Sequence, residues 1–260
     1  MKWCRFDNKG TPAFGIIEGD HVIAVTGSPF ESYKKTDERQ ALKSVKLLVP
    51  VIPPTFYAAG LNYREHVIES AQKRGEEPKF PPEADVGYRA NNALAADGEP
   101  IVIPKDASDL VQYEGELVAV IGKKCRKVSE AQALEHVFGY TIGNDVSERK
   151  WQRGDRTLWR AKNCDTFKPM GPWIVTDLDP AKLTCTVRLN GKQVAFYKIA
   201  DAIFSLETFI SRMSQYMTLH PGDVIWMGTD GAPENMKHGD VVEVEIPGIG
   251  VLRNPVVRES

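Results

Sequence analysis

Two glutamates separated by one residue, Glu114 and Glu116, open the run Tyr113-Glu114-Gly115-Glu116-Leu117-Val118-Ala119-Val120-Ile121-Gly122. Leu117 to Ile121 is short, apolar and β-branched and stops at a glycine, the pattern of a strand. Side chains two apart on a strand share a face, so both carboxylates point the same way and continue the face of Val118 and Val120. Burying either acid without a partner costs on the order of several kcal/mol. A divalent cation removes that conflict. Asp145, in Gly143-Asn144-Asp145-Val146, offers a third oxygen, and the set suits Mg²⁺ or Mn²⁺, which are held by a few carboxylates and keep waters for exchange. Taken alone, the Glu-x-Glu spacing fits equally a half-exposed strand with two solvated glutamates, the commoner setting for such residues.

A second group able to do chemistry lies in Asn62-Tyr63-Arg64-Glu65-His66-Val67-Ile68-Glu69-Ser70-Ala71. Asn62 can cap a helix there and Gly75 can end it. His66 and Glu69 are then neighbours on one face. A carboxylate beside an imidazole orients the ring as a water-activating base requires, although an ordinary surface pair has the same spacing. The following stretch, Glu76 to Asp85, holds Pro78, Pro81 and Pro82 and reads as an exposed loop, so helix and loop together can form a lid. Lys162 sits between Ala161 and a polar stretch, where a lysine aimed at a site is one reading. Gly228-Thr229-Asp230-Gly231-Ala232 can present backbone N–H groups to an anion. Lys123-Lys124-Cys125-Arg126-Lys127 can meet phosphates, but equally reads as a solvated turn.

The chain has 260 residues, enough for one large domain or a main domain with an appendage, and a formal net charge of −2, which leaves no electrostatic footprint for nucleic acid. No apolar run approaches a membrane span, and Met1 to Arg5 lacks the apolar core of a signal peptide, so the expected address is cytoplasmic. Cys4, Cys125, Cys164 and Cys185 are widely separated, which argues for reduced thiols instead of a disulfide framework or zinc knot.

These groups need a frame. Residues 1–50 read as a β meander, a small N-terminal β domain, with the proline-rich stretch Leu47 to Pro54 as the junction. Residues 55–260 read as the main domain. Thr55 to Gly60 and Val137 to Ile142 are expected strands, the latter delivering Asp145, and Ser129 to His136 an expected helix. Asn190-Gly191 marks a hairpin. Ile203 to Met217 has helical spacing, with Phe204, Leu206, Phe209, Ile210 and Met213 as core. Pro221 to Trp226 and Gly239 to Val244 read as two turn-plus-strand units of one closing sheet.

Taken together, Tyr113 to Leu117, Gly143 to Ser147, Ala161-Lys162 with Asp165-Thr166-Phe167, Pro221 to Ile225, Gly228-Thr229, and Gly248-Ile249-Gly250 with Leu252-Arg253-Asn254-Pro255 closely resemble the fumarylacetoacetate hydrolase family. The likeness runs from about Thr55 to Val257, and the N-terminal meander resembles the small domain of many bacterial members. The resemblance implies a mainly β, α+β fold with a mixed-sheet roll, a homodimer, and Mg²⁺ or Mn²⁺ held by Glu114, Glu116 and Asp145. It implies that His66 and Glu69 match the water-activating dyad of hydrolytic members, that Lys162, Arg149 and Gln152 match substrate-contacting positions, that Lys123 matches a lysine implicated in some members, and that Thr229 follows Gly228 in a turn holding a substrate carboxylate. Two stretches depart from the family pattern, Arg89-Ala90-Asn91-Asn92 and Gly228-Thr229-Asp230-Gly231-Ala232-Pro233, both where substrate selection is expected.

The chemistry implied is hydrolysis of a carbon–carbon bond in an acylpyruvate or related 2,4-dioxo acid through a metal-stabilised enolate, with Lys162 and Lys123 stabilising charge and Arg89 or Arg149 anchoring a distal carboxylate. The alternatives are decarboxylation or isomerisation of a 2-oxo diacid, such as oxaloacetate or 2-hydroxyhepta-2,4-diene-1,7-dioate, and a metal- and ligand-binding protein without turnover.

Overall fold

The structure, a computed structural model, describes residues 1–232 and 234–260, apart from the side chains of residues 73 and 74. Two β-sheets face each other across a core. The larger runs, edge to edge, through Tyr33–Ala41, His21–Gly27, Thr11–Glu18, Lys2–Asn8, Lys168–Val175, Val137–Asn144, Gly115–Ile121, Val224–Trp226, Phe56–Ala59 and Val86–Tyr88. The smaller comprises Lys192–Lys198, Thr184–Leu189, Val241–Ile246, Gly250–Arg258 and Ile101–Ile103. Most pairings are antiparallel, but Val224–Trp226 runs parallel to Phe56–Ala59, and Gly250–Arg258 to Ile101–Ile103. The fold is therefore the mainly β, mixed-sheet roll that the sequence predicts.

The Gly115–Ile121 strand is the middle of this arrangement and is buried along its whole length. Leu117, Ala119 and Ile121 face the smaller sheet and pack with Cys185, Val187, Val244 and Leu252. Val118 and Val120 face the other way, among Trp226, Phe56, Met170 and Ile174. A strand covered on both faces loses polar alternation and becomes a continuous apolar run. Gly115 permits the close approach: a Cβ there would lie 2.7 Å from Val187 Cγ2 and 2.9 Å from Val244 Cγ1.

The N-terminal meander continues the larger sheet, since Lys2 and Trp3 pair with Val175 and Ile174. Asn190 and Gly191, with φ of 53° and 79°, form the expected hairpin between Thr184–Leu189 and Lys192–Lys198. The helix Leu206–Tyr216 is capped by Ser205, whose side chain accepts from the Thr208 amide, and it buries Leu206, Phe209, Ile210 and Met213.

Three local expectations need correction. Asn62 does not cap the following helix, Arg64–Arg74; Tyr63 takes the cap position without a side-chain bond, because the Asn62 amide is spent on the Met227 and Phe204 carbonyls, at 2.9 and 3.2 Å. Ser129 to His136 is an α-turn, Glu130–Ala133, followed by a 3₁₀ turn, Leu134–His136, with the Ser129 hydroxyl bonded to Gln132. The two C-terminal units do not share a sheet: Val224–Trp226 pairs with Gly115–Ile121 in the larger, and Val241–Ile246 lies in the smaller. Their similar turn chemistry is local, whereas partner choice is set by long-range burial.

The tight contact at Gly115 carries an expectation for stability. Gly115→Ala must displace Val187 and Val244, an overpacking that costs roughly 1–3 kcal/mol. A thermal melt followed by circular dichroism should show a midpoint lower by about 2–10 °C with an unchanged folded spectrum; an unaltered midpoint would mean that the two sheets can separate freely at this point.

Candidate active site

Register brings the acids together. Gly115 pairs with Asn144 and Glu116 with Gly143 in the antiparallel ladder, so Glu114 arrives opposite Asp145. The Asp145 amide donates to the Glu114 carbonyl at 2.8 Å, and the Asn144 side-chain oxygen accepts from the Glu114 amide at 2.9 Å. Carboxylate oxygens of Glu114, Glu116 and Asp145 all lie within 4.8 Å of one another, and all three residues are buried. Gly143 has no side chain because the Trp226 ring stands there: a Cβ would meet it at 2.6 Å.

Four cations enclose this cluster. Arg89 forks onto Asp145, with Nη2 2.9 Å from Oδ2 and Nε 3.2 Å from Oδ1. Lys162 Nζ bridges Glu114 Oε2 at 2.5 Å and Asp145 Oδ2 at 2.8 Å. Arg149 Nη2 lies 2.7 Å from Glu114 Oε1, and its other nitrogens donate to Gln112 and Gln152 at 2.7 and 2.9 Å. Lys168, fully buried, places Nζ 2.7 Å from Asp145 Oδ1 and donates to the carbonyls of Val146 and Phe167 at 2.9 and 2.8 Å. Both arginines are thus paired within the cluster instead of reaching past it, as buried guanidinium groups require.

The acids respond unequally. Burial pushes Glu114 up, but Arg149 and Lys162 outweigh it and hold the carboxyl at about 2. Burial likewise opposes ionisation of Asp145, which Arg89, Lys162 and Lys168 reverse to well below the ordinary value. Glu116 goes the other way: burial, then the charges of Asp145 and Glu114, raise it well above the carboxylate range. Its one direct polar contact among those described is the Gly228 amide, 2.8 Å from Oε2, and among the described residues no cationic side chain forms a salt bridge with it. A cation shared by the three carboxylates would relieve this repulsion. The donor set, all oxygen and buried, fits a divalent metal site.

The Arg64–Arg74 helix brings His66 to the same place. A Cβ on Gly231 would lie 3.1 Å from His66 Nδ1 and 3.8 Å from Glu69 Oε2, so both side chains of the dyad face the Gly231 turn. Burial lowers the His66 pKa from the ordinary 6.5, with Arg149 and Lys162 adding to the effect against the attraction of Glu114 and Glu69. The imidazole is therefore neutral at pH 7. Thr229 is buried beside this turn, and among the described residues its hydroxyl has no hydrogen-bond partner.

Of the residues expected at a site, the structure gathers Glu114, Glu116, Asp145, Arg89, Arg149, Gln152, Lys162, His66, Glu69, Gly228 and Thr229. Lys123 is not brought there. It is exposed beyond the far end of the Gly115–Ile121 strand, with its amide bonded to the His136 carbonyl at 3.2 Å. At about 3.3 Å per strand residue, seven positions put it roughly 20 Å along from Glu116. Lys168 is the buried lysine the sequence reading missed, its signal being a single charge between Phe167 and Pro169-Met170 in an apolar run. Two others support the site from behind. Tyr197 donates to the Gly115 carbonyl at 2.6 Å, and fully buried Glu148 caps the short Arg149–Gln152 helix through the Trp151 amide.

Comparison with known proteins agrees with this geometry. Residues 55–257 match the model of the fumarylacetoacetate (FAA) hydrolase C-terminal family, and residues 1–50 that of the Rv2993c-like N-terminal family. Protein Rv2993c of Mycobacterium tuberculosis is 40% identical over 270 residues, covering 100% of this chain and 99% of its own. Oxaloacetate tautomerase YisK of Bacillus subtilis is 32% identical, covering 93% and 84%. The crystal structure of 5-carboxymethyl-2-hydroxymuconate delta-isomerase from Mycobacterium smegmatis superposes with a TM-score of 0.90 at 38% identity over the whole of both chains. Maleylpyruvate hydrolase from Sphingobium sp. SYK-6, in complex with manganese (II) ion and pyruvate, superposes with a TM-score of 0.80 at 25% identity, again over both whole chains. With a matching family model over most of its length, a shared roll and a buried acidic triad at its centre, the chain belongs to the fumarylacetoacetate hydrolase family of enzymes.

Proposed function

We propose that the protein is an Mg²⁺- or Mn²⁺-dependent hydrolase that cleaves a carbon–carbon bond in an acylpyruvate or related 2,4-dioxo acid. The observation that carries this reading is the neutral, half-buried imidazole of His66, which shares the Gly231 turn with Glu69 and lies within electrostatic reach of Glu114, Arg149 and Lys162. A divalent cation on Glu114, Glu116 and Asp145 would supply Lewis acidity toward the oxygens of a 2-oxo acid. His66, oriented by Glu69, takes a proton from water, whose oxygen adds to the 4-oxo carbon. The bond from that carbon to C3 breaks, its electron pair passes to C3 and the adjoining 2-oxo group, and a proton returned to C3 leaves pyruvate and a second carboxylic acid.

Charge supports an anionic substrate. Arg89, Arg149, Lys162 and Lys168 outnumber the three carboxylates by one before any metal is counted. In this reading Lys162 and Arg149 stabilise developing negative charge, Gln152 orients the substrate through Arg149, and the Gly228-Thr229 turn receives a carboxylate on the Thr229 hydroxyl, which is unpaired among the described residues. Exposed Lys123 takes no part. Residues 1–50 act as an accessory β domain beside a catalytic domain of residues 55–260, and the working form is a cytoplasmic homodimer, which sedimentation velocity would test.

A second reading is tautomerisation, isomerisation or decarboxylation of a 2-oxo diacid, favoured by what the Bacillus tautomerase and the Mycobacterium isomerase are named for. The readings part at water attack. A product-resolved assay of acylpyruvates, oxaloacetate and unsaturated 2-hydroxy diacids should show hydrolytic products that disappear in His66→Ala by about 10²- to 10⁴-fold. Hydrolysis untouched by that substitution would remove His66 as the base, whereas tautomerisation alone would favour the second reading.

Because the base must be unprotonated, hydrolysis should decline toward acid. Burial lowers the His66 pKa, so the acid limb of kcat should have a midpoint below 6.5, the value of a free imidazole. An acid limb above that value would contradict the neutral-imidazole reading.

Glu116 offers a test apart from turnover. Its ionised form is disfavoured by burial and by its two acidic neighbours, so at pH 7 metal-free Glu116→Gln should melt above metal-free wild type. Added Mn²⁺ should raise the melting midpoint of wild type and leave the variant's unchanged. Equal shifts in both proteins would place the ion elsewhere.

A further inference from the structure

The ladder that aligns the acids stops one pair short of Glu114 and Asp145. Gly115 and Asn144 are the last regular partners of the Gly115–Ile121 and Val137–Asn144 strands, so one more step would set Glu114 against Asp145. A hydrogen-bonded antiparallel pair exchanges two bonds, each backbone N–H reaching the carbonyl opposite. Here only one of them is made: the Asp145 amide donates to the Glu114 carbonyl at 2.8 Å. The chain then turns, with the Val146 amide on the Asn144 carbonyl at 2.9 Å and the Phe167 carbonyl at 3.1 Å, and the Asp145 carbonyl accepts from the Ser147 hydroxyl at 2.9 Å. The Glu114 amide is left without its backbone acceptor. Asn144 Oδ1 takes it instead, at 2.9 Å, on a side chain only 1% exposed.

The other half of that amide has no such use. Among the described residues Asn144 Nδ2 is buried without a hydrogen-bond partner, an unfavourable state for a polar group. Stability alone therefore gives little reason for asparagine here, and what it supplies is the acceptor. Leucine has a similar shape and no acceptor. Aspartate has the acceptor, but would add a fourth buried carboxylate to three that already lie within 4.8 Å of one another.

We infer that Asn144 is a positioning residue: its side-chain oxygen stands in for the carbonyl that the ladder loses at Asp145, and so fixes the spacing of Glu114 and Asp145 on which capture of a shared divalent cation depends. Positive groups hold the tips of the two acids, Arg149 and Lys162 on Glu114, and Arg89, Lys162 and Lys168 on Asp145. The backbones from which those acids project are held by two other bonds, one between main chains and one from the Glu114 amide to the Asn144 side chain. Glu116, inside the ladder opposite Gly143, is aligned by the regular pairing. The cation rests on the function proposed above, whereas the clip is built from the protein's own atoms.

The test compares Asn144→Ala, Asn144→Leu and Asn144→Asp in the full-length protein, with folding checked by circular dichroism. Leucine fills the volume that alanine vacates, so one of the two remains readable if the other does not fold. In metal-free protein, amide exchange read by NMR should be about fivefold faster at Glu114 in the alanine and leucine variants and close to wild type in the aspartate variant. Mn²⁺ titrations followed by the paramagnetic resonance of the free ion should show affinity weaker by about 10- to 100-fold in the first two, and not weakened in the third. A merely structural role would lower the melting midpoint and leave the Mn²⁺ affinity of the folded protein unchanged. Wild-type affinity in the alanine and leucine variants, or an aspartate variant as weak as they are, would overturn the inference. Exchange is read without metal, so a wild type that takes up no Mn²⁺ would defeat the proposed function while exchange at Glu114 still decides the fate of the clip.

Discussion

Everything in this protein has to accommodate three carboxylates held within 4.8 Å of one another out of contact with water. Two of them are kept ionised by direct cations, and the third is left to the repulsion of its neighbours. Such a cluster survives folding only inside a rigid frame, because relaxation would let the acids swing apart or draw in solvent. The frame is the strand buried on both faces, Gly115–Ile121, clamped by a sheet partner on each edge and by the second sheet across the core. Glycines are placed where that clamping is tightest, at Gly115 against Val187 and Val244 and at Gly143 against the Trp226 ring.

The surrounding cations are arranged in depth. Lys168 sits lowest, its protons all committed to Asp145 and two carbonyls, so it acts as a fixed counter-charge. Lys162, Arg89 and Arg149 lie above it and share the outer oxygens of the acids. Arg149 is itself ordered by Gln112 and Gln152, and its short helix by buried Glu148. A site of this build concentrates positive charge around an oxygen-rich centre, a setting that favours negative charge on a small molecule held there. That device is indifferent to which bond breaks, which explains how one family holds isomerases, a tautomerase and hydrolases on one frame. Among the described residues the helix carrying His66 and Glu69 buries only Val67 and Ala71, whereas the triad is held by a strand ladder.

Sequence alone determined a good deal. Apolar β-branched runs and the Asn190-Gly191 turn identified strands and a hairpin, since period and turn chemistry are local properties. The family motifs identified the roll and a triad at Glu114, Glu116 and Asp145, and they brought forward His66, Glu69, Lys162, Arg89, Arg149, Gln152, Gly228 and Thr229, all of which the fold gathers. Only the tertiary structure decided the rest, because it turned on contacts between residues far apart in the chain. Lys123 looked like a site lysine and lies at the wrong end of its strand, since a strand's length separates what a motif places side by side. Lys168 carries no motif in the sequence, and its place as the buried partner of Asp145 is visible only once Val137–Asn144 and Lys168–Val175 are paired. Asn62 is drawn to the Met227 and Phe204 carbonyls instead of capping the helix that follows it, and the two C-terminal units part into different sheets. Spacing reveals which residues can share a face, but burial, register and the competition for each hydrogen bond decide which of them meet.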